Sequence, residues 1–198
     1  MITYSNIKRF IGIPFDDYQK LGGYSYSFLK REVNGVSPEF IGSDKVRLGS
    51  LVDAILTQDD RIDYDDPQMD RAMKIAIEIK DKFGDMIKLF VPQVSYTAVA
   101  EFSGFKMPVT GRLDWELPNH AVIDLKVTGA KTDREFTNLI AHMGYNHQLF
   151  GYCRMSGVKR GYLMPYSTTA KKCLSVVRLE FGDTDKFWEE KILKWGSV

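Results

Sequence analysis

Two short alternations of apolar and polar residues, separated by a tight turn, constrain this chain more than any other feature. Gly111-Arg112-Leu113-Asp114-Trp115-Glu116-Leu117 runs into Pro118-Asn119-His120, and Val122-Ile123-Asp124-Leu125-Lys126-Val127 follows. Side chains of a strand point alternately to its two faces. Leu113, Trp115 and Leu117 should therefore share one face of the first strand, with Arg112, Asp114 and Glu116 on the other. In the second strand Ile123, Leu125 and Val127 oppose Asp124 and Lys126. The turn makes the two strands antiparallel neighbours, so Asp114 is expected beside Asp124 and Lys126 on one polar face. Two carboxylates that close repel unless a cation lies between them. Oxygen-only ligation suits magnesium, with manganese as the alternative, rather than zinc. Such an ion would polarise a phosphate oxygen and acidify water, while Lys126 would position that water or stabilise the developing charge. Without that chemistry the same pattern is a solvent-facing strand pair of alternating charge.

The remaining elements are read around this hairpin. Helices are expected over 24–33, stopped by Asn34-Gly35, and over 45–56, where Leu48, Leu51, Val52, Ile55 and Leu56 form one apolar arc. Asp66-Pro67 reads as a helix start and Phe83-Gly84 as its stop, with Met69, Ala72, Met73, Ala76 and Ile79 as the buried stripe. Strands are expected at 87–91, 94–102, 106–117 and 121–128. Thr132-x-x-Glu135 has the form of a capping box and opens a helical stretch that Gly144 interrupts. A helix over 145–155 ends at Ser156-Gly157. Strands at 160–166 and 173–181 and a helix over 183–195 close the chain. No repeat or linker stands out, so 1–198 is expected to be a single α/β domain, a central mixed sheet flanked by helices.

Composition narrows the function classes. A chain of 198 residues, 44% hydrophobic and 27% charged, is ample for one real core. No apolar run is long enough to span a membrane, and residues 1–10 are too polar for a signal peptide. Two cysteines, Cys153 and Cys173, without a C-x-x-C pair, suggest neither a disulfide framework nor zinc, and Cys153 is expected in the core. The expected location is the cytoplasm. A net charge of +1 argues at first against nucleic acid, yet it conceals an asymmetry. Residues 53–66 carry −5 and residues 154–178 carry +6. Separation of this kind can make a local anion-binding surface on a neutral protein. The basic run begins within a turn of Tyr152 and reads as a phosphate track; most of the acidic run reads as solvated loop.

G-x-x-D from Gly111 to Asp114, D-x-K from Asp124 to Lys126, and then Gln148-Leu149-Phe150-Gly151-Tyr152 as Q-x-x-x-Y resemble the PD-(D/E)XK nuclease superfamily, in its phage-type exonuclease branch. Gln148 and Tyr152 are four apart and share a helical face. The resemblance implies a restriction-endonuclease-like core. It makes Asp114 and Asp124 metal-binding acids, the Leu125 carbonyl a backbone ligand and Lys126 the catalytic lysine. Gln148 and Tyr152 correspond to residues that orient the site or hold the DNA strand. There are departures. Leu113 stands where the family often has proline. Gly49-Ser50-Leu51-Val52-Asp53 puts aspartate where G-x-x-x-H is common, and Asp53 sits at the edge of its apolar arc, where it could reach the metal. A further family acid falls near Gln93 or Glu101, which leaves a second metal open.

The expected function is a Mg²⁺- or Mn²⁺-dependent exonuclease acting on double-stranded DNA ends, with His147 a neighbour of Gln148 in the cleft. Arg112, Lys131, Arg134, Lys159 and Arg160 are the candidate phosphate contacts. The resemblance implies 5′-to-3′ polarity, a ring-shaped homo-oligomer, a single-strand annealing recombination partner and a bacterial or phage-infected host cell. Two alternatives stand beside it. One is a structure-selective or restriction-like endonuclease on the same fold; the other is a non-catalytic DNA-end-binding or assembly module.

Overall fold

In the computed structural model, residues 2–26 and 44–182 are described. The order is β1 (Thr3–Ile11), α1 (Phe15–Lys20), β2 (Tyr24–Ser25), α2 (Asp44–Thr57), α3 (Met69–Ile87), β3 (Val91–Phe102), β4 (Phe105–Leu117), β5 (Ala121–Thr128), α4 (Asp133–His142), α5 (Tyr145–Ser156), β6 (Arg160–Ser167), β7 (Lys172–Cys173) and β8 (Val177–Glu180). The strands form one eight-stranded sheet ordered β1-β3-β4-β5-β6-β7, with β2 joined to β4 and β8 to β6. The β5–β6 and β2–β4 pairs are parallel and the others antiparallel, so the sheet is mixed. A parallel pair needs a crossover, and α4 with α5 supplies it between β5 and β6. The fold is α/β, with a restriction-endonuclease-like core.

The sheet buries both faces. On one, Val94, Tyr96 and Leu113 pack against Phe136 of α4 and Leu149 and Phe150 of α5. On the other, Trp115, Ile123 and Met164 meet Leu48 and Val52 of α2 and Ala72 and Ile79 of α3. A sheet covered on both sides leaves few solvated positions on its central strands. That accounts for the burial of Val122 through Leu125 without alternation.

Several expected elements appear as read. The expected strands over 94–102 and 106–117 join as a hairpin, β3 with β4, that turns between Phe102 and Phe105, and the His120 amide donates to the Leu117 carbonyl to close the turn between β4 and β5. Thr132 caps α4, its hydroxyl accepting from the Glu135 amide at 3.2 Å, while Glu135 Oε2 accepts from the Lys131 amide at 2.7 Å. Gly157, at φ 73°, ends α5 in the left-handed conformation. Cys153 lies in the core, and burial pushes its thiol up to about 12.

Others differ. Tyr24 does not begin a helix: Tyr24 and Ser25 are extended and pair with Val109 and Thr110, so sheet pairing overrides the local pattern. Residues 27–33 of that expected helix, and the one over 183–195, lie outside the described residues. Helix α3 runs through Gly84 to Ile87, because Phe83, Met86 and Ile87 still meet the second core. Its stripe takes Ile75 in place of Met73, which is exposed, and the strand expected from residue 87 begins only at Val91. Strand β1 and helix α1 were not anticipated. β1 is almost wholly exposed and α1 buries nothing, so neither carries a hydrophobic period.

Candidate active site

One rung of the sheet departs from regular pairing, and the site is built on it. β3 pairs with β4 on both sides of the Gln93–Asp114 position, but those two residues are left out of the ladder. Gln93 stands at φ 49°, a left-handed conformation that costs a residue of its kind on the order of 1–3 kcal/mol. Across this rung the alternation restarts on the opposite face. Leu113 packs with Val94 and Tyr96 in the first core, while Trp115 packs with Ile123 in the second. The expected common face of Leu113 and Trp115 is therefore corrected, and Asp114 belongs to neither core.

The second strand pair opens at the same place. β4 and β5 are joined at Leu117–Ala121, Glu116–Val122 and Trp115–Ile123, and then part. The next rung would set Asp114 against Asp124. Instead Asp114 Oδ2 accepts a hydrogen bond from the Leu125 amide at 2.6 Å across the fork. A strand residue presents its N–H and C=O to the same side, so the Leu125 carbonyl faces this gap too. Asp124 is buried, and its Oδ2 is ion-paired to the Lys126 ammonium. The ammonium lies 5.0 Å from the centre of the Tyr145 ring. Burial first, then the charges of Asp53 and Asp124, push the Asp114 carboxyl well above the usual carboxylate range. Burial opposes the charge of Lys126, yet Asp124 and Asp114 outweigh it and hold the amine above its ordinary value.

These residues line a cleft of about 1290 Å³ whose walls come from α1, α2, α5 and the strand ends. Asp53 is on the α2 wall, with its Oδ2 2.7 Å from Arg61 Nη2 and 3.3 Å from the Gln93 side-chain amide. Burial lifts the Asp53 carboxyl above its ordinary value against the pull of Arg61. Asp59, also buried, is held well below the usual range by hydrogen bonds from the Arg61 side chain and amide. Arg112 Nη2 reaches the same Asp59 at 2.8 Å, its Nη1 donates to the Ile13 carbonyl and its Nε to Gln93. Asp59 and, through Arg47, Asp66 are thus buried partners rather than members of a solvated loop.

The structure brings Asp53, Asp114, Asp124, Leu125, Lys126, Gln148, Tyr152 and Arg112 to this cleft. Gln148 Nε2 donates to the Tyr152 hydroxyl at 2.8 Å, and both side chains are buried. Gly111 makes room for them, since a Cβ there would stand 2.9 Å from Tyr152 Cε1 and 2.5 Å from Met155 Cε. Lys131 and Arg134 are exposed at the start of α4, just past Gly129 on the cleft rim. None of the six bases of 154–178 lines the cleft. Lys159 and Arg160 are exposed, and Arg160, at the start of β6, and Arg178 of β8 pair with Glu180. His147 does not line the cleft either; its Nε2 is 3.4 Å from Asn146 Nδ2. Sequence reasoning missed Asp59, Phe15, Tyr18 and Tyr145, whose partners Arg112, Arg61 and Lys126 are distant in the chain, and Arg61, whose nearby partners Asp53 and Asp59 are lost among the acids of one run.

Asp114, Asp124 and the Leu125 carbonyl are a hard-oxygen donor set, and two crowded carboxylates that share the Lys126 ammonium leave a deficit of positive charge. That combination fits a divalent ion such as Mg²⁺ or Mn²⁺. Among the described residues no three acidic, histidine or cysteine side chains are gathered closely enough to hold a metal.

No family model matches the sequence, and no curated protein matches it. Among solved structures, a candidate exonuclease from Eubacterium rectale superposes with a TM-score of 0.56 at 20% identity, over 84% of this chain and 68% of that one. An alkaline exonuclease from Laribacter hongkongensis is similar at a TM-score of 0.46 and 12% identity, over 92% of this chain and 91% of that one. A phage-related exonuclease from Haemophilus somnus 129PT gives 0.37 and 14%, over 94% and 91%. At such identities the similarity is one of fold. The chain shares the α/β fold, with its restriction-endonuclease-like core, of the Eubacterium rectale structure.

Proposed function

We propose that the chain is a divalent-cation-dependent deoxyribonuclease that degrades linear duplex DNA from its ends, with 5′-to-3′ resection in phage-type recombination as its setting. One observation carries the reading: Asp114 and Asp124 stand with a single lysine at the fork where β4 and β5 part. A divalent ion held by these carboxylates and the Leu125 carbonyl would polarise a phosphate oxygen and acidify water. Every other role falls to the chain. The Leu125 amide orients Asp114. Lys126, kept charged by two carboxylates, donates to the attacking water or to the phosphate oxygen on which charge builds. Gln148 and Tyr152, bonded to each other on α5, orient the substrate strand. Lys131 and Arg134 are phosphate contacts at the rim, so binding should weaken with salt. A ring-shaped homo-oligomer and an annealing partner in the cytoplasm of a bacterial or phage-infected cell belong to the same proposal. Among the described residues no helix is long and apolar enough to cross a membrane.

A second reading, a non-catalytic DNA-end-binding module, draws on the pairing of Asp53 with Arg61 and the lack of a carboxylate triad among the described residues. Incubating linear and circular duplexes with Mg²⁺, using wild type and Lys126→Ala, separates the readings. We expect the linear form to be degraded and the circle left intact, with Lys126→Ala slower by about 10²–10³-fold, as for loss of one transition-state donor. A cut circle would assign an endonuclease. Intact DNA with ends still bound would assign the module.

A further inference from the structure

Arg61 is the fixed positive charge of the α2 wall. Its Nη2 lies 2.7 Å from Asp53 Oδ2 and 3.0 Å from Asp59 Oδ2, and its Nε 2.9 Å from Asp59 Oδ1. Its guanidinium also sits 4.8 Å from the centre of the Phe15 ring, which closes it in from the α1 side. A guanidinium does not lose its proton in a protein, so this charge is permanent. Gln93, whose left-handed backbone turns its amide toward α2, donates to the same Asp53 Oδ2 at 3.3 Å and to Thr57 Oγ1 at 2.8 Å. The Asp53 carboxylate that faces the cleft is therefore already met by a cation and a donor of this chain.

The charge count of the two halves points the same way. Asp53 and Asp59 stand against Arg61 and Arg112 and are balanced, whereas Asp114 and Asp124 stand against Lys126 alone. A divalent ion approaching Asp53 would meet the Arg61 guanidinium and be repelled by it. Taking the floor as a cation site, we propose that Arg61 is a built-in cation at Asp53, so that the cleft takes one divalent ion, on Asp114 and Asp124, and no second ion on Asp53. Arg61 is then a positioning residue: it fixes the number of ions and leaves the reacting atoms to the floor.

Titration calorimetry with Mn²⁺, with free Mn²⁺ followed by electron paramagnetic resonance, reads that number without any activity. Wild type should bind one ion per chain. Asp53→Asn should also bind one, with its affinity changed by less than about tenfold, the low end of the effect of a residue outside the ligand set. Arg61→Gln should gain a second ion, and Arg61→Gln with Asp53→Asn should return to one. Should Arg61→Gln fail to fold, the Asp53→Asn count still decides. Two ions on wild type, with one of them lost in Asp53→Asn, overturns the inference. Uptake of no Mn²⁺ by wild type overturns the cation site itself, a failure distinct from a count of two.

Discussion

The cleft holds two pairs of carboxylates and treats them in opposite ways. Asp53 and Asp59 on the wall are matched by Arg61 and Arg112, whose donors come from a loop and from a strand that lies far away in the chain. Asp114 and Asp124 on the floor share Lys126 alone. A balanced buried network holds a structure together, and removing one member exposes an uncompensated charge. An unbalanced pair stores a demand for a cation. The difference teaches that a count of acids in a cleft says little; what decides is which of them the chain has already neutralised.

The largest expected effect breaks the wall. Arg112 and Asp59 are both almost fully shielded from solvent, so Arg112→Ala should cost about 3–5 kcal/mol of stability, measured by urea unfolding. A loss below about 1 kcal/mol would place the pair with surface ion pairs, contrary to its burial. The pH dependence should separate the halves as well. Asp59 is held below its ordinary value in the fold, so its contribution is full above about pH 4 and is lost as pH falls below that. Asp114 is held above its ordinary value, so the ion-free fold gains from protonating it and loses stability as pH rises through and beyond the ordinary carboxylate range. Stability measured without divalent ions should therefore fall off on both sides.

Smaller changes sharpen the comparison by leaving the carboxylates alone. Gly111→Ala would press a methyl onto Tyr152 and Met155, at a cost of about 1–3 kcal/mol, and should weaken DNA binding while Mn²⁺ uptake is unchanged. If Mn²⁺ uptake falls as well, shape and charge are not separable in this cleft. The smallest effect is expected outside it. Arg160, exposed and paired with Glu180 at the sheet edge, should change stability by less than about 0.5 kcal/mol when replaced by Ala, with salt-dependent DNA binding left as in wild type. A loss of binding there would make the 154–178 run a phosphate track.

Much of this was legible in the sequence, and what was not has identifiable causes. The hairpin, strand β5 and the Gln148–Tyr152 spacing follow from local periodicity, and they bring Asp114, Asp124 and Lys126 to one place. The switch of faces between Leu113 and Trp115 falls at the unpaired rung where Gln93 stands at φ 49°, which no composition or period announces. Asp59 reads as one more acid of a loop because Arg112 lies 53 residues away, and only the fold makes them partners. The place of the basic run near Tyr152 is hidden for the complementary reason. α5 ends at Gly157, and Arg160 at the start of β6 then pairs with Glu180 of β8, outside the cleft lining.

The central claim, that the floor pair stores a demand for a divalent cation, is tested most directly by unfolding wild type and Asp114→Asn with and without Mg²⁺. Without it, Asp114→Asn should be the more stable protein, because it removes a crowded buried carboxylate while keeping an acceptor for the Leu125 amide. With Mg²⁺ at about 100 times its dissociation constant, wild type should gain about 2.7 kcal/mol and the order should reverse. The same order in both conditions would contradict the account.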